Sequence, residues 1–321
     1  MRPVCKRRFV LGDESKMILS FDTSNYTTSA CLFDEQEGIV WQNRILLHPP
    51  GNQCGLRQSD VVFLHTKNLE VLLDAMPKAQ IDAVVASARP RPVDGSYMPC
   101  FLVGKNLAKS ISSILGCQFA TFSHQENHIM AALYSSGHLE LLEKEFIAFH
   151  ISGGTSDVLL VKTGEGGFLI ESIGTSLDLH AGQLIDRIGV MLGKQFPCGK
   201  AIEIMANSCP QKTAVKTSVK GYNFHFSGFE NQAKKMLEEN VDPPVIAKFA
   251  LDCVLKTIDK VIGNIRSDKK DIPILLAGGV MSNRYIAGAL QSKYDHLYFS
   301  DPFYSSDHAL GNAVLYHYLC K

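Results

Sequence analysis

The chain is expected to fold as a two-lobed α/β protein made of one unit used twice. Three observations in its 321 residues point there. Strand-like apolar runs come in threes, at residues 17–22, 29–33 and 39–47 and again at 146–151, 157–161 and 168–173. Each triplet leads into alternating helical and strand patterns. Hydroxyl- or glycine-rich turns also occupy matching places in the two triplets, Asp22-Thr23-Ser24-Asn25-Tyr26-Thr27-Thr28 in the first and Ser152-Gly153-Gly154-Thr155-Ser156 in the second.

The first triplet is β-rich and broken by polar or glycine-containing turns, which predicts an antiparallel meander. Residues 59–76 carry Val62, Phe63, Leu69, Leu72 and Leu73 at helical spacing, with Ser59 as a candidate N-cap. A buried strand at 81–87, a helix at 97–115 and a strand at 118–122 follow, and a further helix opens at His124. After the second triplet comes a helical insertion from Asp178 to about Leu192, then a glycine, proline and polar stretch to about Ser227. Pro243-Pro244 leads into a helix over 245–265, as prolines at a first turn do. A strand at 272–277, a helix at 283–290, a strand at 297–300 and a last helix from Asp307 complete the series. The order β-β-β-α-β-α-β-α thus recurs as topology, with little residue identity between halves. It predicts the actin/hexokinase/ribonuclease-H type of architecture, with a ligand cleft between the lobes. The expected division is an extension over 1–16, a first ribonuclease-H-like lobe over 17–137 and a second over 138–321, the last carrying an insertion at about 178–240.

Composition is that of a globular protein, 45% hydrophobic and 20% charged, with a formal net charge of +0. No global field draws the chain to nucleic acid or an anionic membrane, so a nucleic-acid substrate needs a local basic patch or a partner subunit. Nine cysteines, an odd number with no Cys-x-x-Cys pair, read as reduced thiols. The basic Met1–Arg8 segment precedes only a short apolar run, neither a secretory core nor a membrane span. The expectation is a cytoplasmic protein with no membrane contact.

The stretch richest in chemistry is Phe122-Ser123-His124-Gln125-Glu126-Asn127-His128, closing a strand and opening a helix. Residues four apart share a helical face, so His124 and His128 can aim two imidazoles at one divalent metal. In a chain with 11 histidines, two ordinary surface histidines are the competing reading. If the halves are related by a pseudo-two-fold, Asp307 at the start of the last helix faces the same cleft. It then completes a His₂Asp set with open positions, the mark of a catalytic site. The alternative for Asp307 is a plain N-cap after Ser305-Ser306. Leu276-Ala277-Gly278-Gly279-Val280-Met281-Ser282-Asn283-Arg284 adds a glycine-rich strand-to-helix turn. Singly these turns read as hairpins or βα connections; together they suggest a nucleotide in the cleft.

Over residues 17–318 the chain resembles the TsaD-type tRNA threonylcarbamoyladenosine transferases, once labelled sialoglycoprotein endopeptidases, which carry an actin-like ATPase fold. His124 and His128 match the family's His-Met-Glu-Gly-His. The run from Phe146 to Gly154 is similar to its strand and Ser-Gly-Gly loop, and that from Ser176 to Arg187 to its Ser-Ile-Asp-Asp-Ala-Ala-Gly-Glu-Ala-Phe-Asp-Lys. Phe196-Pro197-Cys198-Gly199 resembles Tyr-Pro-Gly-Gly, and Phe226-Ser227-Gly228-Phe229 resembles Phe-Ser-Gly-Leu. Ala277 to Arg284 is close to Ala-Gly-Gly-Val-Ser-Ala-Asn-Arg, and Ser306-Asp307-His308-Ala309 stands where the family has Thr-Asp-Asn-Gly. The resemblance implies a divalent metal, iron or zinc, on His124, His128 and Asp307. It implies that Ile151, Ser152, Gly153, Gly154 and Thr155 line the phosphate and acyl end of a threonylcarbamoyl adenylate, and that Asp186, Gly199, Glu203 and Asn283 contact its nucleotide part, or ATP in its place. The implied reaction passes the threonylcarbamoyl group to N6 of the adenosine beside the anticodon in tRNA. The implied partners are tRNA and TsaB-like and TsaE-like proteins.

The chain departs from the family in three loops. The first loop usually reads Glu-Thr-Ser-Cys-Asp-Glu-Thr, and its second Glu is Thr27 here. The His after Ser-Gly-Gly is Thr155, and Gly-Pro-Gly after the strand at 81–87 is Arg89-Pro90-Arg91-Pro92. These changes suit a divergent paralogue. They leave open a non-catalytic nucleotide- or metal-binding partner subunit, or a carbamoyltransferase with another acceptor.

Overall fold

The computed structural model describes residues 15–24, 26–47, 56–211 and 213–320, so most of the expected 1–16 extension, and Asn25, lie outside the described residues. Two five-stranded sheets make the body. In the first, β1 (Met17–Ser24), β2 (Thr27–Asp34) and β3 (Gly38–Leu46) form an antiparallel meander, and β4 (Ala83–Arg89) and β5 (Gln118–Ser123) extend it in parallel from β1. In the second, β6 (Phe146–Ile151), β7 (Ser156–Gly164) and β8 (Gly167–Thr175) repeat the meander. A small hairpin of β9 (Ser218–Lys220) and β10 (Asn223–His225) intervenes. Then β11 (Ile274–Ala277) and β12 (Leu297–Phe299) run parallel to β6. The strand orders, β3-β2-β1-β4-β5 and β8-β7-β6-β11-β12, are the same arrangement twice, as the triplets predict.

Helices cover both faces of the central strands, which is why β2 is buried along its whole length and β1 along all but its first residue. Helices α1 (Gln58–Asp74) and α2 (Phe101–Leu115) pack Leu69, Leu72 and Ala108 against Leu19, Phe21 and Leu32 on one face of the first sheet. Helix α3 (His124–Ser136) follows β5. Helices α4 (Ala181–Met191), α5 (Gly199–Asn207), α6 (Ser227–Glu238), α7 (Pro243–Asp268) and α8 (Arg284–Gln291) build a separate core on Ile147, Phe149 and Val158 of the second sheet. The last helix, α9 (Leu310–Leu319), joins α3 between the sheets. There Met130, Leu133, Leu310 and Val314 share one cluster with Ile18 and Phe33 of the first sheet and Phe146 and Leu275 of the second. Packing therefore crosses the expected boundary at 137/138, since α9 also lies on β1 and β2.

Several elements differ from expectation. The helix expected at 97–115 begins at Phe101, because Pro99 disfavours helical backbone at Met98. The stretch expected to be irregular up to Ser227 holds α5 and the β9–β10 hairpin. The final helix begins at Leu310 rather than Asp307. No disulfide forms among the described residues. No helix among them is long and apolar enough to cross a membrane.

Candidate metal centre

Strand β5 ends at Ser123, and the same residue starts α3. The Ser123 hydroxyl accepts from the Glu126 N–H at 3.2 Å, and the Glu126 carboxylate accepts from the Ser123 N–H at 2.7 Å. This reciprocal cap fixes where the helix begins. His124 is then its first residue and His128 stands one turn on, with their Nε2 atoms 3.0 Å apart. Oδ1 of Asp307 lies 3.2 Å from Nε2 of His128 and 3.6 Å from Nε2 of His124. Two ligands about 2.1 Å from one ion, at roughly 90–120° to each other, are about 3.0–3.6 Å apart. The donor set, two imidazoles and a carboxylate, thus fits a single divalent ion in both type and spacing.

Asp307 reaches this point because it does not cap a helix. The N-cap of α9 is Ala309, without a capping side chain, so the carboxylate is left to face His128. The plain N-cap alternative is not the arrangement found.

Asp22, at the end of β1, stands behind the set and is fully buried. Its Oδ2 lies 2.9 Å from Nδ1 of His124 and also accepts from the Ser87 hydroxyl at 2.5 Å and the Asn127 amide at 3.0 Å. The Ser24 N–H donates to Oδ1 at 2.9 Å. A carboxylate can only accept, so it holds a proton on Nδ1 of His124, and Nε2, facing Asp307 and His128, is the nitrogen an ion would take in place of its proton. Burial opposes the charge on Asp22, but His124 and the hydrogen bonds outweigh it and hold the carboxyl far below the ordinary range. Burial likewise disfavours a charged His124, yet the Asp22 carboxylate, helped by Asp307, pushes its pKa up to about 9. For Asp307, burial is outweighed by the His128 hydrogen bond and the neighbouring imidazoles, and the carboxyl lies below its usual range. His150 on β6 packs its ring 4.8 Å from that of His128. Burial first, and then the His128 and His124 charges, push its pKa well down, so it is a neutral neighbour.

The seam between α3 and α9 holds the two halves of the set together. The Asn127 amide donates to the His308 carbonyl at 2.6 Å, and its Oδ1 accepts from the Asn312 N–H at 2.9 Å. The Asn312 amide in turn donates to the Phe21 carbonyl at 3.1 Å and the Ser87 hydroxyl at 2.9 Å. Gly311 lies so close to the Asn127 carbonyl that a Cβ there has no room.

A cleft of about 710 Å³ opens beside the second sheet, and Gly153, Asp186, Gly199, Glu203 and Asn283 of the expected ligand residues line it. Three of them also brace its walls. Asp186 accepts from the Cys198 N–H at 2.7 Å, Glu203 from the Arg284 N–H at 2.7 Å, and Asn283 caps α8 through the Ile286 N–H at 3.1 Å. Burial raises the Asp186 pKa against the effect of its Cys198 bond. Ser152 folds the turn by accepting from the Gly154 and Thr155 amides, while Gly153 and Gly154 are exposed. Ile151 is placed differently from expectation. Its side chain is fully buried, and its carbonyl is taken by the Val280 N–H at 3.1 Å, so it does not face the cleft. Strand β6 connects the two regions: His150 touches the metal set, and Gly153, three residues on, touches the cleft. Of the residues around the candidate set, Asp22, Asn127, His150 and Asn312 are not evident from sequence. The one available signal is an acid ending the otherwise apolar run 17–22.

The family model described as TsaD, tRNA N6-adenosine threonylcarbamoyltransferase, matches residues 65–313. The tRNA N6-adenosine threonylcarbamoyltransferase of Christiangramia forsetii is 29% identical over 97% of this chain and 96% of its own. That of Brucella suis is 26% identical over 86% of this chain and 81% of its own. Among solved structures, component A of the Acidaminococcus fermentans (R)-2-hydroxyglutaryl-CoA dehydratase superposes with a TM-score of 0.55, at 16% identity over 96% of this chain and 100% of that one. A ROK family glucokinase from Streptomyces griseus gives 0.52 at 9% identity, over 93% and 98%. These two speak for the fold alone, the duplicated actin-like ATPase architecture. The family match covers most of the chain, and the chain therefore belongs to the TsaD family of tRNA N6-adenosine threonylcarbamoyltransferases.

Proposed function

We propose that the chain transfers a threonylcarbamoyl group from threonylcarbamoyl adenylate to N6 of the adenosine beside the anticodon in tRNA, with one divalent metal, iron or zinc. The observation that carries this reading is the convergence of His124, His128 and Asp307, with Asp22 fixing the His124 tautomer. When bound, the ion supplies Lewis-acid polarisation of the carbamoyl carbonyl. In the transfer the amine nitrogen bonds to the carbonyl carbon, the bond from that carbon to the phosphate oxygen breaks, AMP leaves with the electron pair, and the proton lost from the nitrogen passes to solvent.

The chain's own residues have distinct tasks. Gly153 and Gly154, exposed and without side chains, let the departing phosphate lie against the backbone. The 710 Å³ cleft is of a size for the adenosine moiety. Asp186, Glu203 and Asn283 keep its loops in place. A net charge of +0 gives little pull on tRNA, which supports docking through TsaB-like and TsaE-like partners.

The test is metal analysis of the purified chain together with transfer from the adenylate to unmodified tRNA, with and without those partners. One bound metal per chain and turnover with partners are expected. Metal and nucleotide binding without turnover under any combination overturns this reading in favour of a non-catalytic partner subunit.

A further inference from the structure

The loop after β4 is anchored to the metal helix. The Pro90 carbonyl accepts from the N–H of Gln125, the residue following His124, at 3.0 Å. The loop also closes on itself, with the Arg91 N–H donating to the Ser96 hydroxyl at 3.0 Å and the Ser96 N–H to the Val93 carbonyl at 3.2 Å. From this fixed base the Arg91 side chain crosses to the second sheet, where Nη2 lies 3.0 Å from Oδ2 of Asp157. Asp157 is buried, and its other oxygen accepts from the Thr175 hydroxyl at 2.7 Å. It sits opposite His150 in the β6–β7 pairing, and His150 packs on His128. The guanidinium therefore stands one strand away from the rim of the metal set.

We propose that Arg91 is a specificity-determining residue that binds a carboxylate on the acyl group presented at His124, His128 and Asp307. The proposal rests on the transferase reading above. A guanidinium has five N–H donors in a planar fork that matches a carboxylate. The contact with Asp157 uses a single oxygen, and 56% of the Arg91 side chain remains exposed. The buried Asp157 aims the group, and the remaining donors are available to a ligand. A threonylcarbamoyl group offers such a carboxylate, whereas a plain carbamoyl group has none. A simple tie neutralising Asp157 would affect stability and leave discrimination between ligands unchanged.

The experiment uses the full-length, metal-loaded protein and calorimetric titration with threonylcarbamoyl adenylate and its threonine-carboxamide analogue. The proteins are wild type, Arg91→Lys, Arg91→Gln, and Arg91→Gln combined with Asp157→Asn, which avoids stranding a buried acid. The wild type is expected to favour the carboxylate by about tenfold or more, the scale of a charge-assisted hydrogen-bond pair. That preference should fall below about twofold in both glutamine variants and be partly kept in Arg91→Lys, with metal content unchanged in the double variant. Equal binding of both ligands by the wild type, or an undiminished preference in the double variant, overturns the proposal. If the wild type binds neither adenylate, the transferase reading fails by itself. N-carbamoyl-L-threonine, its amide and inorganic phosphate then decide the role of Arg91. Arg91-dependent preference for the acid supports it; no preference, or Arg91-dependent binding of phosphate alone, overturns it.

Discussion

Oδ2 of Asp22 stands 2.9 Å from Nδ1 of His124, tying the end of the first strand to the first turn of the helix that carries both histidines. The bond sets which imidazole nitrogen is free, and outer-shell carboxylates of this kind typically tune metal affinity by 10–100-fold. Asp22→Asn, which keeps the shape and can still accept from Ser87, is expected to weaken metal binding by about that factor. Competition with a chromophoric chelator at fixed pH measures it, with circular dichroism as the check on folding. Unchanged affinity would mean that Asp22 only stabilises the strand end.

Removal of a proposed ligand should have a larger effect. Asp307→Asn discards the one negative charge in the set of three while keeping its volume. Metal affinity is expected to drop by more than in Asp22→Asn, and by more than about 100-fold. Stripping the wild type with a chelator should abolish transfer to tRNA, and iron(II) or zinc should restore it. Full activity after complete stripping would rule out a metal-dependent step.

Much of this arrangement was legible in the chain, because its strands are apolar runs and its repeats share an order. Asp307 is the instructive case. Its place near His124 and His128 follows from the duplication, but its freedom to face them follows from α9 starting three residues later, at Leu310. Helix boundaries of that kind depend on packing against α3 and are weakly encoded locally. Helix α5 is nine residues long and lies in the stretch of polar and glycine residues, α6 is twelve residues long and starts at its end, and their fully buried residues are Ile202, Ala206, Phe229 and Ala233. Both are amphipathic, so what hides them is their shortness and small number of buried residues, not a lack of periodicity. Asp22 was visible as an acid in a β-run, but its partner is 102 residues away, and only the parallel pairing of β1 with β4, and of β4 with β5, brings the two together.

The α3–α9 seam gives a test of how the two halves of the set depend on each other. Gly311 meets the Asn127 carbonyl and side chain, and a methyl group there forces the helices apart. Gly311→Ala is expected to cost roughly 1–3 kcal/mol of stability, the range for overpacking in a close contact. Because Asp307 lies four residues before Gly311 and His128 one after Asn127, metal affinity should fall with it. Denaturant titration of the metal-free protein and metal titration of the folded variant separate the two effects. A stable variant with normal metal affinity would show that the seam tolerates separation.

A last prediction concerns the insertion and the sign of its pH dependence. The Asp178 carboxylate accepts from the Phe226 N–H at 2.8 Å, the Ser227 N–H at 3.1 Å and the Ser227 hydroxyl at 2.5 Å. It therefore caps α6, whose own N-cap residue, Phe226, has no side-chain oxygen to offer. Burial opposes the charge, but these bonds and one from the Leu179 N–H outweigh it and lower the pKa to about 2. A folded pKa below the unfolded one means the charged carboxylate stabilises the fold above about pH 4, and that this contribution fades as pH falls toward 2. Asp178→Ala should thus lose about 0.5–2 kcal/mol at pH 7, the usual cost of a missing cap. The difference from wild type should shrink steadily below about pH 4. Urea unfolding of both proteins at pH 7, 5 and 3 provides the comparison. A gap that stays constant across that range would assign the loss to packing rather than to the charged cap.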